Sequence, residues 1–158
     1  MTTPTRRALA RALTLVAALF TLTTLVSIPI STAEATTPSF GSQVKYWAST
    51  RKGMPYQYGA DGPTRFDCSG LTKWTFAKLG KSLPHSSARQ YSDVRHISAR
   101  YRHAGDLVFF HNSRGIYHVG IYAGNGYIWH APYSGAHVRL EKIWTSSVYY
   151  GRVANWAS

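Results

Sequence analysis

The sequence predicts an α+β domain, with N-terminal helices packed on an antiparallel sheet of five or six strands. Three observations carry this. Residues 42–94 place apolar side chains at helical spacing, broken by Gly and Pro. From Asp106 onward the pattern changes to short apolar runs separated by turn residues. Two of these runs, ending and beginning near Tyr122 and Tyr127, flank Ala123-Gly124-Asn125-Gly126, a strong hairpin signal.

The first 35 of the 158 residues stand apart and read as an export signal. Arg6, Arg7 and Arg11 form a positive start, Ala12 to Ile30 is mostly apolar, and Ala33-Glu34-Ala35 is a small-x-small cleavage site. A retained membrane anchor is the rival reading, because the apolar run approaches spanning length. Its four threonines and the Ala-x-Ala end favour removal, leaving no membrane span in the mature chain. The Arg6-Arg7 pair hints at twin-arginine export, which the residues after it fit poorly. Residues 36–158 then form one domain, enough for a single core and too few for two.

Removing the leader would leave 15 basic and 5 acidic residues, a net charge of +10. The basic side chains are spread from Lys45 to Arg152, with no nucleic-acid motif among them. For an exported monomer such a field either solvates the surface or draws in anionic cell-wall polymers, while nucleic acid is out of reach. With one cysteine there is no internal disulfide, so the core must supply stability.

Taken in order, a helix is expected from a Ser42 cap to Gly53, with Val44, Trp47 and Ala48 on one face. Met54 to Gly59 is extended or turn-like, since Pro55 biases Met54 away from helix. A second helix starts at Cys68 and stops at Gly80. A third, capped by Ser86 or Ser87, runs from Ala88 to Val94. Arg95 to His103 reads as a basic loop and a candidate wall of a cleft. Strands follow at 106–110, 118–122, 127–130, 138–140 and 148–153.

The chemistry gathers at Phe66-Asp67-Cys68-Ser69-Gly70-Leu71. A thiol in the first turn of a helix meets unpaired N–H groups and the positive end of the helix dipole, which favour the thiolate. A buried cysteine acting as a small hydrophobe is the alternative, and its polar neighbours Asp67 and Ser69 argue against it. A thiolate nucleophile needs a base and a third group that orients the base. Of seven histidines only His118 and His130 lie inside confident strands, and the other five read as surface or loop residues. An odd-membered loop, Ala123 to Asn125, would pair Tyr122 with Gly126 and set His118 opposite His130, about 5 Å apart at Cβ. A two-residue Asn125-Gly126 turn would instead point His130 away. Cys68 and the histidines lack the close ligand pairs of a zinc site, so neither metal nor cofactor is expected.

These motifs resemble the NlpC-type cell-wall peptidases, papain-like cysteine peptidases that cut peptidoglycan stem peptides. The likeness is carried by Gly53-Met54-Pro55-Tyr56, the Phe66–Leu71 stretch, Leu83-Pro84 with Ser87 and Gln90, Gly105-Asp106-Leu107-Val108-Phe109-Phe110, and His118-Val119-Gly120-Ile121-Tyr122 through Ile128-Trp129-His130-Ala131-Pro132. It covers nearly all of residues 36–158. It implies a papain-like fold, Cys68 as nucleophile, His118 as base, His130 as third residue, and Tyr56 with its hydroxyl close to the thiol. Asp67 would bind a substrate amine by that resemblance, or else cap the helix. Ser69 and Ser87 are candidate substrate contacts, Ser69 alternatively a polar filler. Tyr58, Ala60 and His85 depart from the family pattern where it has Trp, Gly and Arg, which bears on the cleft wall.

The function so implied is a secreted, wall-associated endopeptidase acting on peptidoglycan stem peptides at the bond between D-γ-glutamate and a diamino acid. An amidase or acyl-transfer enzyme with the same Cys-His pair, and a non-catalytic basic wall-binding module, are the alternatives.

Overall fold

The computed structural model describes residues 37–153; the expected export signal lies outside the described residues. Helix α1 spans Phe40–Ser49. Its cap is Ser39, whose Oγ accepts the Ser42 N–H at 3.3 Å, so the helix starts before the expected Ser42. It also ends sooner, and Gly53 (φ +82°) closes the turn beyond it. Val44 and Ala48 face the core, and Trp47 meets Trp74 edge-on at 6.2 Å. Helix α2, Cys68–Ala77, buries Leu71 and Phe76. It stops where Lys81 N–H turns back to the Phe76 carbonyl around Gly80 (φ +70°). Helix α3, Ser87–Asp93, is capped by Ser86. Gln90 ties α2 to α3: its amide donates to the Ser69 and Pro84 carbonyls, and its oxygen accepts from Thr72.

The six strands are β1 (Arg95–Ile97), β2 (Leu107–Asn112), β3 (Gly115–Gly124), β4 (Tyr127–His130), β5 (Arg139–Lys142) and β6 (Val148–Arg152). They pair antiparallel in the order β1-β6-β2-β3-β4-β5. The expected loop at 95–103 is therefore an edge strand followed by a 3-10 turn, Ala99–Tyr101. It lies at the opposite edge of the sheet from β5 and does not border the cleft described below.

Period-2 alternation divides the sheet residues between two apolar clusters. Leu107, Phe109, Val119 and Ile121 pack with Val44, Leu71 and Phe76 of the helices. Val108, Phe110, Tyr122 and Ile128 form the second cluster, closed by Ile143, Val148 and Tyr150. Asp106, fully buried just before β2, holds Arg152 in a bidentate pair (Nε–Oδ1 2.7 Å, Nη2–Oδ2 2.8 Å) and accepts the His103 N–H.

The β3–β4 register corrects one expectation. Asn125 (φ +53°) and Gly126 (φ +79°) form a two-residue left-handed turn, with Gly124 opposite Tyr127. Alone, that turn would put the two histidines on opposite faces. A bulge at Ala123 shifts the pairing by one, giving Tyr122–Ile128 and Ile121–Trp129. His130 thus falls across from Gly120, and His118, two residues before Gly120, shares its face. The shared face is as expected, but the two histidines lie diagonally rather than directly opposite each other, and a different turn plus a bulge brings them there.

Candidate active site

Cys68 opens α2, and Asp67 before it is the N-cap, its Oδ1 accepting the Gly70 N–H at 2.7 Å. The helix seats tightly there. A Cβ on Gly70 would lie 2.1 Å from the Ala60 carbonyl oxygen, so glycine is needed for this approach. Asp67 also accepts from the Gly59 N–H (2.9 Å), the Ser69 hydroxyl (3.1 Å) and His85 Nε2 (2.9 Å). The carboxylate is nearly buried and fully partnered, so a substrate amine would have to compete with His85. The helix-cap reading of Asp67 is the one its geometry shows. His85 lies in a loop, as expected, and there it is a hydrogen-bond partner of Asp67 in the wall of the cleft.

Burial, and next the Asp67 charge, push the Cys68 thiol above its ordinary value, while the Val119, Ser69 and Cys68 N–H groups pull it down. The upward causes win, which corrects the expectation that the helix start makes a resting thiolate. The Val119 contact also places the sulfur one residue from His118.

His118 Nε2 and His130 Nδ1 are 2.9 Å apart, with the rings edge to face. Both rings are buried. Burial, then the neighbouring His130, lowers His118 to about 3. Burial lowers His130 as well, against an opposing pull from Glu141. The two therefore rest as neutral imidazoles. Glu141 Oε2 lies 2.9 Å from His130 Nε2 and accepts from Arg139 Nε at 2.7 Å. Sequence reading missed this pair. Its signal was the alternation Arg139-x-Glu141 on a strand beside His130.

Two cavities meet at Tyr117, which borders both. One, of about 340 Å³, holds Cys68 with Tyr56, Tyr58, Ser69, His85 and Ser87. The other, of about 280 Å³, holds His118 and His130 with Tyr133, Arg139, Glu141 and Trp144. Tyr56 is fixed by its N–H bond to the Ala136 carbonyl (2.9 Å) and its bridge to Phe66. Burial, then the Cys68 and Asp67 charges, raise its phenol, which keeps it a donor. Ser69 spends its hydroxyl proton on Asp67; Ser87, the first residue of α3, lines the same cavity. Of the remaining histidines, His96 stacks on Tyr91 and His111 on Tyr149, and neither borders these cavities.

Helices on a six-stranded antiparallel sheet, with a thiol at a helix start and a hydrogen-bonded histidine pair on the sheet, define a papain-like α+β domain. The chain belongs to the NlpC/P60 family, whose model matches residues 53–154. Over 111 residues it is 46% identical to the "Probable endopeptidase p60" of Listeria monocytogenes, covering 67% of this chain and 22% of that protein. It is 46% identical over 88 residues to the bifunctional muramidase/DL-endopeptidase CwlT of Bacillus subtilis, 53% of this chain and 27% of that one. The chain thus spans about a quarter or less of these two relatives. Among solved structures, the NlpC/p60 domain of the peptidoglycan hydrolase SagA matches with a TM-score of 0.66 at 30% identity, covering 72% of this chain and 98% of that one. RipD of Mycobacterium tuberculosis, a non-catalytic NlpC/p60 domain protein adapted to peptidoglycan binding, matches at 0.64 and 26% identity, covering 74% and 99%.

Proposed function

We propose that this domain is an exported cysteine endopeptidase that hydrolyses peptidoglycan stem peptides at the bond between D-γ-glutamate and a diamino acid. The observation that carries the reading is the 2.9 Å His118–His130 pair, set one residue from the backbone N–H that meets the Cys68 sulfur. The family and the endopeptidase names of its relatives support the substrate class.

His118 takes the thiol proton as sulfur attacks the amide carbonyl, so the ion pair forms with substrate present rather than before it. The new C–S bond leaves a tetrahedral oxyanion, met by the Cys68 N–H and the Tyr56 hydroxyl. His118 then gives its proton to the amine as the C–N bond breaks. Water, deprotonated by His118, attacks the thioester; the acid departs and the thiol is restored. Ser69 and Ser87 line the acyl side. Residues 1–35 act as the export signal, and the spread of basic side chains holds the domain near anionic wall polymers. Among the described residues no helix is long and apolar enough to cross a membrane.

The likeness to RipD favours one other reading, a wall-binding module. Incubating purified peptidoglycan with wild type and Cys68→Ala separates them. The peptidase reading expects soluble fragments from wild type alone, with new γ-glutamyl carboxyl and diamino-acid amino ends by mass spectrometry. Equal binding with no fragments from either protein overturns it, and cleavage at the sugar–peptide linkage would make the enzyme an amidase.

A further inference from the structure

We infer that Glu141 is a positioning residue that sets the proton arrangement of both histidines and leaves His118 Nδ1 bare, as the nitrogen that can take a proton. This deepens the peptidase reading and rests on it. The argument follows the hydrogen bonds inward from the carboxylate. An ionised carboxylate only accepts, so at 2.9 Å from Glu141 Oε2 the His130 Nε2 must carry a hydrogen. A neutral imidazole has one N–H, which leaves His130 Nδ1 as an acceptor. The 2.9 Å contact to His118 then requires the hydrogen on His118 Nε2. His118 is neutral too, so its second nitrogen, Nδ1, holds a lone pair and no proton. That is the state a general base needs.

The sheet builds this line of groups. His130 and Arg139 are paired across β4 and β5, and Glu141 lies two residues on, on the same face. Arg139 clamps the carboxylate through Nε and Nη2, both 2.7 Å from Oε2. Burial raises the Glu141 carboxyl, but the bonds from His130 and then Arg139 outweigh it and hold it below the ordinary carboxylate value. The acceptor at the end of the line is therefore ionised at neutral pH. A glutamine would keep its oxygen under the two Arg139 donors and preserve the order. An alanine removes the acceptor, so nothing holds the His130 hydrogen on Nε2 and the His118 hydrogen is no longer confined to Nε2.

Nitrogen NMR of the histidine rings in the intact wild-type protein reads the arrangement without turnover. The expected spectrum shows His118 and His130 both protonated at Nε2 and bare at Nδ1. A His118 carrying its hydrogen on Nδ1 overturns the inference. Kinetics on a synthetic γ-D-glutamyl-diamino acid peptide gives the second arm. Glu141→Ala is expected to lose kcat on the order of 10²-fold, with KM within about twofold, as when the outer partner that orients a functional histidine is removed. Glu141→Asp should recover a substantial part of that loss. A fully active Glu141→Ala beside an inactive Cys68→Ala sinks the positioning role and leaves the peptidase standing; activity in both sinks the peptidase itself.

Discussion

His85 Nε2 lies 2.9 Å from each carboxylate oxygen of Asp67, and its Nδ1 is 3.9 Å from Asp61 Oδ2. The cap of the cysteine helix is thereby tied to the loop before α3. His85→Ala removes one of four donors from a buried carboxylate and should cost about 1–3 kcal/mol in urea unfolding. The carboxylate it uncovers faces the Cys68 cavity. Peptides with a free N-terminal amine should then gain in kcat/KM over their N-acetylated forms, and an unchanged ratio would contradict the competition between amine and His85.

Gly120 sits where a side chain would collide with the site. A Cβ there would lie 2.8 Å from Ile128 Cδ1, 3.2 Å from the Trp129 oxygen and 3.3 Å from His130 Cβ. Gly120→Ala should force β4 outward, costing about 1–3 kcal/mol by thermal or urea unfolding. A shift approaching 1 Å in His130 should lower kcat by up to about 10²-fold. A variant crystal structure with His118 and His130 still 2.9 Å apart would count against this.

The resting thiol should be unreactive for its position. Burial and the Asp67 charge raise Cys68, and buried His118 stays neutral down to about 3. Iodoacetamide labelling of the free protein should be slow at neutral pH and climb only on the alkaline side of an ordinary thiol. A labelling plateau that extends to acid would reveal a preformed thiolate–imidazolium pair instead.

Acid should weaken the fold through the same histidine. His118 falls from 6.5 unfolded to about 3 folded, so the folded state binds fewer protons. Its contribution to stability is present above about 6.5 and is lost as pH falls toward 3. His118→Gln should flatten the fall in urea midpoint across that window, and parallel curves for the two proteins would refute it.

Asp106 contributes structure rather than chemistry. Asp106→Ala takes two charge-assisted bonds from the nearly buried Arg152 guanidinium, a loss of about 3–5 kcal/mol. Below its melting temperature the variant should keep the wild-type KM, measured on the same peptide.

Much of this was legible in the residues. Helical spacing around Leu71 and Phe76, and the hairpin signal from Ala123 to Gly126 between apolar runs, are local signals, and they place Cys68 and both histidines on the right elements, though the turn within that hairpin was misread. The bulge at Ala123 was not legible, because a one-residue slip reflects how strands settle against neighbours rather than any residue's own preference. β1 escaped notice for a similar reason: Arg95-His96-Ile97 is a strand only because β6 offers it an edge. The direction of the Cys68 shift depended on how deeply α2 packs, and the partners His85 and Glu141 meet their targets only through space.

Tyr117 stands at the seam between the two cavities, and on the proposed peptidase mechanism this would give turnover the following order of departure. A peptide lying across that ring leaves its acyl half beside Cys68 and its amine half beside His118. The amine half is the first to be set free, and its exit vacates the chamber where His118 waits. Water then arrives through the space the first fragment has left, while the second fragment remains tethered on the far side of the phenol. Replacing Tyr133 or Trp144 at the rim of that chamber with alanine would open the path for water and speed the clearing of the thioester more than its formation.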